Sequence, residues 1–367
     1  MDAYIRSLIE KEVIPGLSAL AGRGDRVVFS QHYGLKSRIP KKDPLHERAL
    51  YDVASLTKPL VTAFLILYLV EKKEISLETS VSKIFPQLHH FESMTISHLL
   101  THTSGLPGWY PFYLFGEEYL SQFNSIPLNS RPGSQVVYSC PGYILLYYII
   151  EKCSGLSFVE FAKHIIFRPL QLRDTFLRVP DSRKHEAVPT EMGDGYQRQL
   201  ATEWALGSPE HREPVESFSW REEMIQGDTN DLYSFHLGGS AGNAGLFSTS
   251  HDLFRMGLQF FPETATILKW ETLQQCWNNF TPFKRSHRTV GFKRNSSLIT
   301  SGGRAFSRRA IGHNGFTGCS MWLDRHHKTK QNITVILLTN LIHPQVPNIK
   351  FRKTQRTLSK IFLRSFL

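Results

Sequence analysis

The sequence predicts an α+β fold, in which an antiparallel β-sheet flanked by helices carries a large, mainly helical insertion. Short β-type runs lie near both ends of the 367-residue chain, and apolar segments with helical periodicity fill its middle. Antiparallel strands that are distant in sequence can still pair, so both ends are expected to build one sheet. We therefore expect a split α/β lobe of residues 1–54 and 255–367, a mainly helical lobe of residues 55–254, and a functional site between them.

The N-terminal part predicts a helix followed by a hairpin. Residues 2–13 have the pattern of a short amphipathic helix. Two apolar runs follow, Leu17 to Ala21 and Val27 to Gln31, and Gly22-Arg23-Gly24-Asp25 between them is a typical hairpin turn.

The middle of the chain predicts helices separated by Pro-Gly turns. Apolar residues recur with helical spacing in three segments, 60–72, 94–101 and 142–153. Turns are indicated at Pro107-Gly108, Pro132-Gly133 and Pro141-Gly142. Residues 180–235 are polar and give no assignable pattern.

The C-terminal part returns to strands and ends in a helix. Its β-type runs are Thr289 to Phe292, Ala310 to His313, Gly318 to Asp324 and Ile333 to Thr339. From Asn348 to Leu367, helical spacing relates the apolar residues Phe351, Leu358, Ile361 and Phe362.

The composition is that of an ordinary globular protein, with 41% hydrophobic and 20% charged residues. The net charge is +11, but the basic residues spread over 284–309 and 350–364 without a recognisable nucleic-acid module. This pattern favours a basic, solvated surface over nucleic-acid binding. The sequence does not indicate an oligomeric state or a role for the basic C-terminal segment.

Neither cofactor nor membrane signals stand out. Four scattered cysteines without metal-ligand spacing are expected to be reduced thiols: Cys140, Cys153, Cys276 and Cys319. The N-terminus lacks the pattern of a signal peptide, and the apolar run 60–70 is shorter than a membrane span. We expect a cytoplasmic protein with no transmembrane segment, no metal and no organic cofactor.

A serine and a lysine at helical spacing give the first catalytic candidates. Ser55 and Lys58 lie one turn apart at the start of the predicted helix 60–72, on the same face. A hydroxyl beside an amine that can take its proton is the minimum for covalent acyl transfer. A second Ser-x-x-Lys match, Ser80 to Lys83, runs into Pro86, which denies it a long following helix. Helical context therefore selects Ser55.

Two later motifs could complete such a site. Tyr138 follows a Pro-Gly turn and precedes a helix, where neighbouring cations would let it shuttle a proton; alternatively its ring packs with the hydroxyl at the surface. Gly312-His313-Asn314-Gly315 ends a predicted strand. The missing side chain of Gly315 would let a substrate approach the backbone, where the amide of Phe316 could help to bind an oxyanion.

The order and spacing of these three motifs resemble the serine β-lactamase and penicillin-binding-protein superfamily. The chain is most similar to class C β-lactamases and their esterase-like relatives. The resemblance covers nearly the whole chain and includes two longer stretches, Leu99 to Pro107 (LLTHTSGLP) and Ala244 to Thr249 (AGLFST).

The resemblance implies a β-lactamase/transpeptidase-like fold and a role for each matched residue. Ser55 would be the acylated nucleophile, Lys58 its base or an electrostatic aid, and Tyr138 the proton shuttle. His313 would stand where β-lactamases usually carry a lysine. The backbone N–H groups of Ser55 and Phe316 would form the oxyanion hole. Lys58 could act as a base only if its surroundings lowered its pKa.

Two departures from the family pattern bear on the substrate. Cys140 occupies the place of an Asn whose amide contacts β-lactam substrates, and a thiol cannot replace that donor and acceptor pair. His313 is largely neutral at pH 7, unlike the usual lysine. Further candidates on the substrate side are Asn314, Gly315, Trp109, Asp228, Asn230 and Asn243. The aromatic run 109–115 is expected either to pack onto the helical lobe or to wall an apolar acyl pocket.

Two rival motifs lack the context they need. Gly238-Gly239-Ser240-Ala241-Gly242 matches a nucleophile elbow, but the glycine-rich continuation favours a tight loop over the required helix. His98 and His102 have the i, i+4 spacing of a zinc helix without its glutamate, which favours structural histidines.

The leading hypothesis is a hydrolase that forms an acyl-enzyme on Ser55. Its substrate would be a small ester, amide or peptide, with a D-amino-acid or peptidoglycan-like portion as one option and β-lactamase activity weak or absent. The alternatives are a catalytically silent relative that binds a ligand in the same cleft, or a true β-lactamase.

Overall fold

The computed structural model describes residues 2–116, 118–296, 300–325, 330–347 and 352–366. Nine strands occur in these ranges: β1 (Gly16–Arg23), β2 (Arg26–Ser37), β3 (Asp43–Pro44), β4 (Tyr51–Asp52), β5 (Phe247–Ser248), β6 (Lys293–Arg294), β7 (Ile311–Asn314), β8 (Ser320–Asp324) and β9 (Ile333–Leu338). The α-helices in the same ranges are α1 (Asp2–Glu10), α2 (Phe64–Glu71), α3 (Val81–Ile84), α4 (Ile96–Leu100), α5 (Tyr119–Gln122), α6 (Cys140–Ser154), α7 (Phe158–Ala162), α8 (Gly195–Ala205), α9 (Arg212–Ser217), α10 (Leu232–His236), α11 (Ser250–Leu258), α12 (Trp270–Leu273) and α13 (Arg352–Phe366).

Both ends of the chain build one antiparallel sheet, which confirms the predicted fold class. Seven strands follow the order β3-β2-β1-β9-β8-β7-β6. The two ends meet where β1 pairs with β9, with Ser18 opposite Leu338. Helix α11 packs on this sheet through Gly257, where an added Cβ would lie 2.3 Å from the Met321 side chain. The limits of the two lobes stay a prediction.

The predicted elements at the two ends are largely present. The hairpin forms, with Arg23 opposite Arg26 and Gly24 at φ +59° in the turn. The C-terminal helix is α13, which buries Leu358 and Phe362 against the core. Residues 348–351 and 367 of the predicted segment, including Phe351, lie outside the described residues.

The strand predicted from Thr289 to Phe292 is wrong. This segment turns back on itself: the Thr289 N–H donates to the Phe292 carbonyl (3.1 Å), and Gly291 has φ +77°. Gly291 therefore turns the backbone within the predicted strand. Strand β6 begins only at Lys293, opposite Gly312 of β7.

The apolar helix after Ser55 lies in the core. A 3₁₀ turn, Ala54–Leu56, leads into a π-helical stretch, Lys58–Ala63, and then into α2. Among the described residues, the segment Ala54–Glu71 has the length and mean hydropathy (1.4) that a membrane span requires. Because 78% of it is buried inside the protein, this is weak evidence for a span, and core helices commonly pass the same test.

Candidate active site

Ser55 lies in a cleft of about 770 Å³ at the C-terminal end of β7. Its side chain is half-buried in the 3₁₀ turn, and the preceding Ala54 adopts φ +47°, a conformation that residues with a side chain rarely adopt. The residues lining the cleft are Ser55, Tyr138, Arg288, Lys293, Thr300, Ser301, His313, Asn314, Gly315, Phe316, Gly318, Leu341 and Gln355.

A buried carboxylate, Asp52, holds the strained turn in place. It accepts hydrogen bonds from the backbone N–H groups of Ala54 and Asn230, both at 2.8 Å. Burial raises the pKa of Asp52 to about 6, although these N–H groups favour the ionised form. The backbone of Asn230 thus supports the turn from behind the cleft. The Asn230 side chain donates to Glu191 (3.4 Å) and does not line the cleft.

Lys58 is fully buried beside the serine. Its Nζ donates to Ser55 Oγ (3.1 Å), to the Asn243 carbonyl (2.9 Å) and to Cys140 Sγ (3.6 Å). Three acceptors match the three protons of an ammonium group. Burial lowers the pKa of Lys58, but the charges that Cys140 and Tyr138 acquire on ionisation raise it more, above its ordinary value. Because Cys140 is a neutral thiol at pH 7, its charge is absent there, and both roles that the resemblance implies, a base and an electrostatic aid, stay predictions.

Tyr138 lies on the loop before α6, with its ring beside Lys58 and His313. Lys58 Nζ is 5.0 Å from the ring centroid, and the His313 ring is 5.8 Å away. His102 fixes this loop: its Nδ1 accepts from the Ser139 N–H (3.1 Å), and its carbonyl accepts from the Val137 N–H (2.9 Å).

His102 and His98 have separate structural tasks and do not converge on a common site. Because Nδ1 of His102 is an acceptor, its ring is neutral, and burial, Arg288 and Lys58 hold the pKa of His102 well below 6.5. His98 forms a capping box with Thr95 at the start of α4. Among the described residues, no cluster of His, Cys, Asp and Glu could hold a metal ion.

His313 is a buried, neutral imidazole at the end of β7. Its Nδ1 donates to the Asn314 carbonyl (2.9 Å), since a carbonyl can only accept, so Nε2 carries the lone pair. Burial, Lys58 and Arg288 hold the pKa of His313 well below 6.5. The position therefore supplies no permanent positive charge to the cleft.

Gly315 allows a close contact within the protein. A Cβ at this position would lie 2.5 Å from the Val53 carbonyl oxygen, in the backbone of the Ser55 turn. The sequence predicts that a substrate approaches here, and Gly315 does line the cleft; the structure also places the turn of the nucleophile against the glycine. Phe316 follows on the cleft wall, and its side chain is 39% exposed.

A polar network that the sequence analysis missed fixes Asn314. Its side chain accepts from Ser301 Oγ (2.8 Å) and donates to Gln355 Oε1 (2.7 Å). Gln355 Nε2 in turn donates to the Gly318 carbonyl (2.8 Å), so α13 holds the turn between β7 and β8. A signal was present, because Gln355 is a polar residue three positions before Leu358 on the buried face of the helix.

Cys140 and Asn243 lie on the inner side of Lys58. Burial raises the pKa of the Cys140 thiol more than Lys58 lowers it, so the sulfur is a neutral thiol at pH 7. Besides its carbonyl contact with Lys58, Asn243 donates its amide to Asp231 (3.0 Å). Both residues thus contact Lys58 directly, and neither lines the cleft.

Trp109 and Asp228 do not line the cleft either. Trp109 packs 6.5 Å from the ring of Tyr113, within a cluster that includes residues of α8 and α9. This arrangement corresponds to the packing alternative for the aromatic run. Asp228 forms an ion pair with Lys184 (2.9 Å).

Neither of the other two serine motifs has the structure that its chemistry needs. The Gly238–Gly242 segment follows helix α10 and precedes strand β5, the reverse of a nucleophile elbow. In the second Ser-x-x-Lys match, Ser80 is the N-cap of α3, a helix of four residues that carries Lys83.

Comparisons with known proteins agree in family and fold. The family model described as Beta-lactamase matches residues 1–356. An N-acetylmuramyl-L-alanine amidase of Bacillus subtilis (strain 168) is 26% identical over 376 residues, covering 93% of this chain and 81% of the relative. Penicillin-binding protein 4* of the same organism is 30% identical over 268 residues; the match covers 70% of this chain but only 54% of that protein.

Solved structures share the fold at lower sequence identity. A class C beta-lactamase superposes with a TM-score of 0.74 at 19% identity, covering 100% of this chain and 95% of the other. EstCE1, a hydrolase with promiscuous acyltransferase activity, superposes with a TM-score of 0.72 at 17% identity, covering 98% and 97%.

Proposed function

The chain belongs to the beta-lactamase family, and on that premise we propose that it hydrolyses small esters or amides through an acyl-enzyme on Ser55. The observation that carries the proposal is the 3.1 Å hydrogen bond from Lys58 Nζ to Ser55 Oγ in an accessible cleft. A serine that serves only structure does not require a fully buried lysine as its partner, because burying an ammonium is costly.

In the proposed reaction, Ser55 Oγ bonds to the acyl carbon while its proton passes to the Tyr138 hydroxyl, which passes its own proton to the leaving group. The Lys58 ammonium and the N–H groups of Ser55 and Phe316 stabilise the negative charge that develops. The bond from the acyl carbon to the leaving group breaks, and the protonated alcohol or amine departs. Water attacks the acyl-enzyme by the reverse proton route, releasing the acid and restoring the Ser55 hydroxyl.

The surroundings of Ser55 favour an esterase-like or peptidase-like activity over β-lactam hydrolysis. The Cys140 thiol offers no amide to a β-lactam side chain, and the neutral His313 offers no charge to its carboxylate. The name of the amidase relative supports an amide substrate, and the description of the structurally similar EstCE1 as a hydrolase with promiscuous acyltransferase activity supports acyl transfer. Cytoplasmic localisation stays a prediction from the sequence.

Labelling with a fluorophosphonate probe tests the nucleophile. We expect the wild-type chain to be labelled, Ser55→Ala to lose labelling, and Ser80→Ala, the serine of the second Ser-x-x-Lys match, to keep it. Folded wild-type protein that is not labelled would contradict the proposal and favour a silent ligand-binding relative.

Substrate preference is tested by comparing p-nitrophenyl acetate with a chromogenic cephalosporin. We expect turnover of the ester that depends on Ser55 and little or no turnover of the cephalosporin. Efficient cephalosporin hydrolysis would show a true β-lactamase and overturn the esterase-like assignment.

A further inference from the structure

A phenylalanine stands almost fully in solvent on a loop beside the cleft. The side chain of Phe283 is 97% exposed, whereas the next most exposed large apolar side chain among the described residues, Leu206, is 72% exposed. A single exposed apolar residue is common on protein surfaces, so the ring has a meaning only if its surroundings give it one.

Hydrogen bonds at the base of the loop hold the ring in this exposed position. Thr281 Oγ1 accepts from the Arg288 N–H (2.7 Å), and the Phe280 N–H donates to the Arg288 carbonyl (2.9 Å). Residues 281–288 therefore form a closed loop, which we call the Phe283 loop. Its last residue, Arg288, lines the catalytic cleft. Because five residues of chain reach at most about 18 Å, the ring lies within roughly that distance of the cleft wall.

The Phe283 loop belongs to a strongly basic stretch of the chain. Between Glu271 and Asp324 the sequence has eight lysines and arginines and no aspartate or glutamate. Two of these cations, Lys284 and Arg285, directly follow the phenylalanine. Asp324 itself is fully buried, where its carboxylate accepts hydrogen bonds from the backbone N–H and the hydroxyl of Ser307, both at 2.7 Å. The positive charge of this stretch is therefore not balanced from within it.

The edge of the sheet brings further arginines to the Phe283 loop. Arg294, on the edge strand β6, donates its N–H to the His287 carbonyl (3.0 Å) and its Nε to the Arg308 carbonyl (3.2 Å). The exposed side chains of Arg285, Arg308 and Arg309 take part in none of the ion pairs formed within the described part of the chain. The exposed ring and these unpaired cations thus belong to one connected part of the surface.

We propose that the Phe283 loop docks this protein on a membrane surface that contains anionic lipid. The ring enters the boundary of the acyl chains, and the arginines around it contact the lipid phosphates. An apolar side chain combined with cations at headgroup level lets a protein bind a membrane without crossing it. One ring is far smaller than the roughly 800 Å² that each partner buries in a stable protein–protein interface, so a lipid surface is favoured over a protein partner. This inference goes beyond the proposed hydrolysis and does not depend on it.

Flotation of the whole chain with lipid vesicles tests the role of the ring. We expect the wild type to bind vesicles of phosphatidylcholine and phosphatidylglycerol at low salt, and to bind pure phosphatidylcholine vesicles far more weakly. Phe283→Ser should weaken binding about 10- to 100-fold, the equivalent of burying one phenylalanine side chain. Leu206→Ser is the matched control, because it removes an exposed apolar side chain close to Glu203, and it should bind like the wild type.

Charge variants test the role of the arginines in the same assay. Arg285→Gln combined with Arg309→Gln should weaken binding roughly 25-fold, since each basic residue near an anionic surface contributes about fivefold. The double variant should also reduce the salt dependence of binding. The control pair is Lys41→Gln with Lys42→Gln, which removes two exposed charges next to β3, at the opposite edge of the sheet from β6, and should change binding little.

A tryptophan at the tip reports insertion directly. The emission that Phe283→Trp adds to that of the wild type should be quenched by lipids brominated on their acyl chains, whereas that of Leu206→Trp should not. All substituted positions are exposed or half-buried, so we expect each variant to keep the Tm of the wild type. None of these measurements needs turnover, so docking and the proposed hydrolysis can fail independently of each other.

Three results would overturn the inference. The first is wild-type protein that does not bind the anionic vesicles. The second is vesicle binding that is unchanged in Phe283→Ser and is displaced by heparin, which would make the surface a site for soluble polyanions. The third is a wild-type dimer in light scattering that Phe283→Ser converts to a monomer, which would make the ring a contact between copies of this chain.

Discussion

Replacing Gly315 by alanine should separate the two halves of the proposed oxyanion hole. The added Cβ would lie 2.5 Å from the Val53 carbonyl oxygen, 3.2 Å from the Val53 carbonyl carbon and 3.4 Å from the Ala54 Cβ. Two of these three atoms belong to the backbone that carries Ser55, so no side-chain rotation can relieve the overlap. The end of β7 must instead move away from the turn.

The size of that movement sets the expected loss of activity. Ordinary contact begins near 3.4 Å, so the glycine and the Val53 carbonyl must separate by about 0.9 Å. A misplacement of about 1 Å in a catalytic group can cost about 100-fold, which is also the lower range for the loss of one oxyanion donor. Overpacking of this kind typically destabilises a fold by about 1–3 kcal/mol.

The assay is kcat for p-nitrophenyl acetate together with urea unfolding of the same proteins. Gly195→Ala is the matched control, because a Cβ there meets only Glu191 Oε1 at an ordinary 3.5 Å. We expect Gly315→Ala to lose about 100-fold in kcat while Gly195→Ala retains wild-type activity. Wild-type kcat and stability in Gly315→Ala would refute the reasoning, since the close approach would then constrain nothing.

Two further predictions concern groups that support the cleft. Folding raises the pKa of the Asp52 carboxyl from 3.8 to about 6. The carboxyl therefore contributes about 3 kcal/mol to the free energy of unfolding below pH 3.8, and this contribution is lost as the pH rises through 6. Asp52→Asn should remove this part of the pH dependence in urea unfolding, and identical pH slopes in both proteins would contradict it. Gln355→Leu leaves the Asn314 amide and the Gly318 carbonyl without their partner. It should lower the free energy of unfolding by about 1–3 kcal/mol and kcat/KM roughly tenfold. The control is Gln199→Leu, at an exposed position of α8, which should change both quantities little. Equal unfolding free energies and equal kcat/KM for the two glutamine variants would count against the network.

Prediction from sequence was most successful where the determining contacts are local. Ser55 and Lys58 are three residues apart, so helical geometry alone brings them together. The hairpin of β1 and β2 likewise follows from a turn between two apolar runs. The failed strand at Thr289 shows the limit, because apolar content favoured a strand where Gly291 turns the backbone.

By itself, the sequence determined the family, the fold class and the choice of Ser55 over Ser80, because motif order and helical context are written along the chain. Only the tertiary structure decided how these residues are supported. Asp52 binds Asn230, Gln355 binds Asn314, and Arg288 lies against Tyr138, and each pair joins parts of the chain that no local pattern relates. The physical reason is that burial and charge act through space, so the state of a side chain depends on neighbours that only folding brings near it.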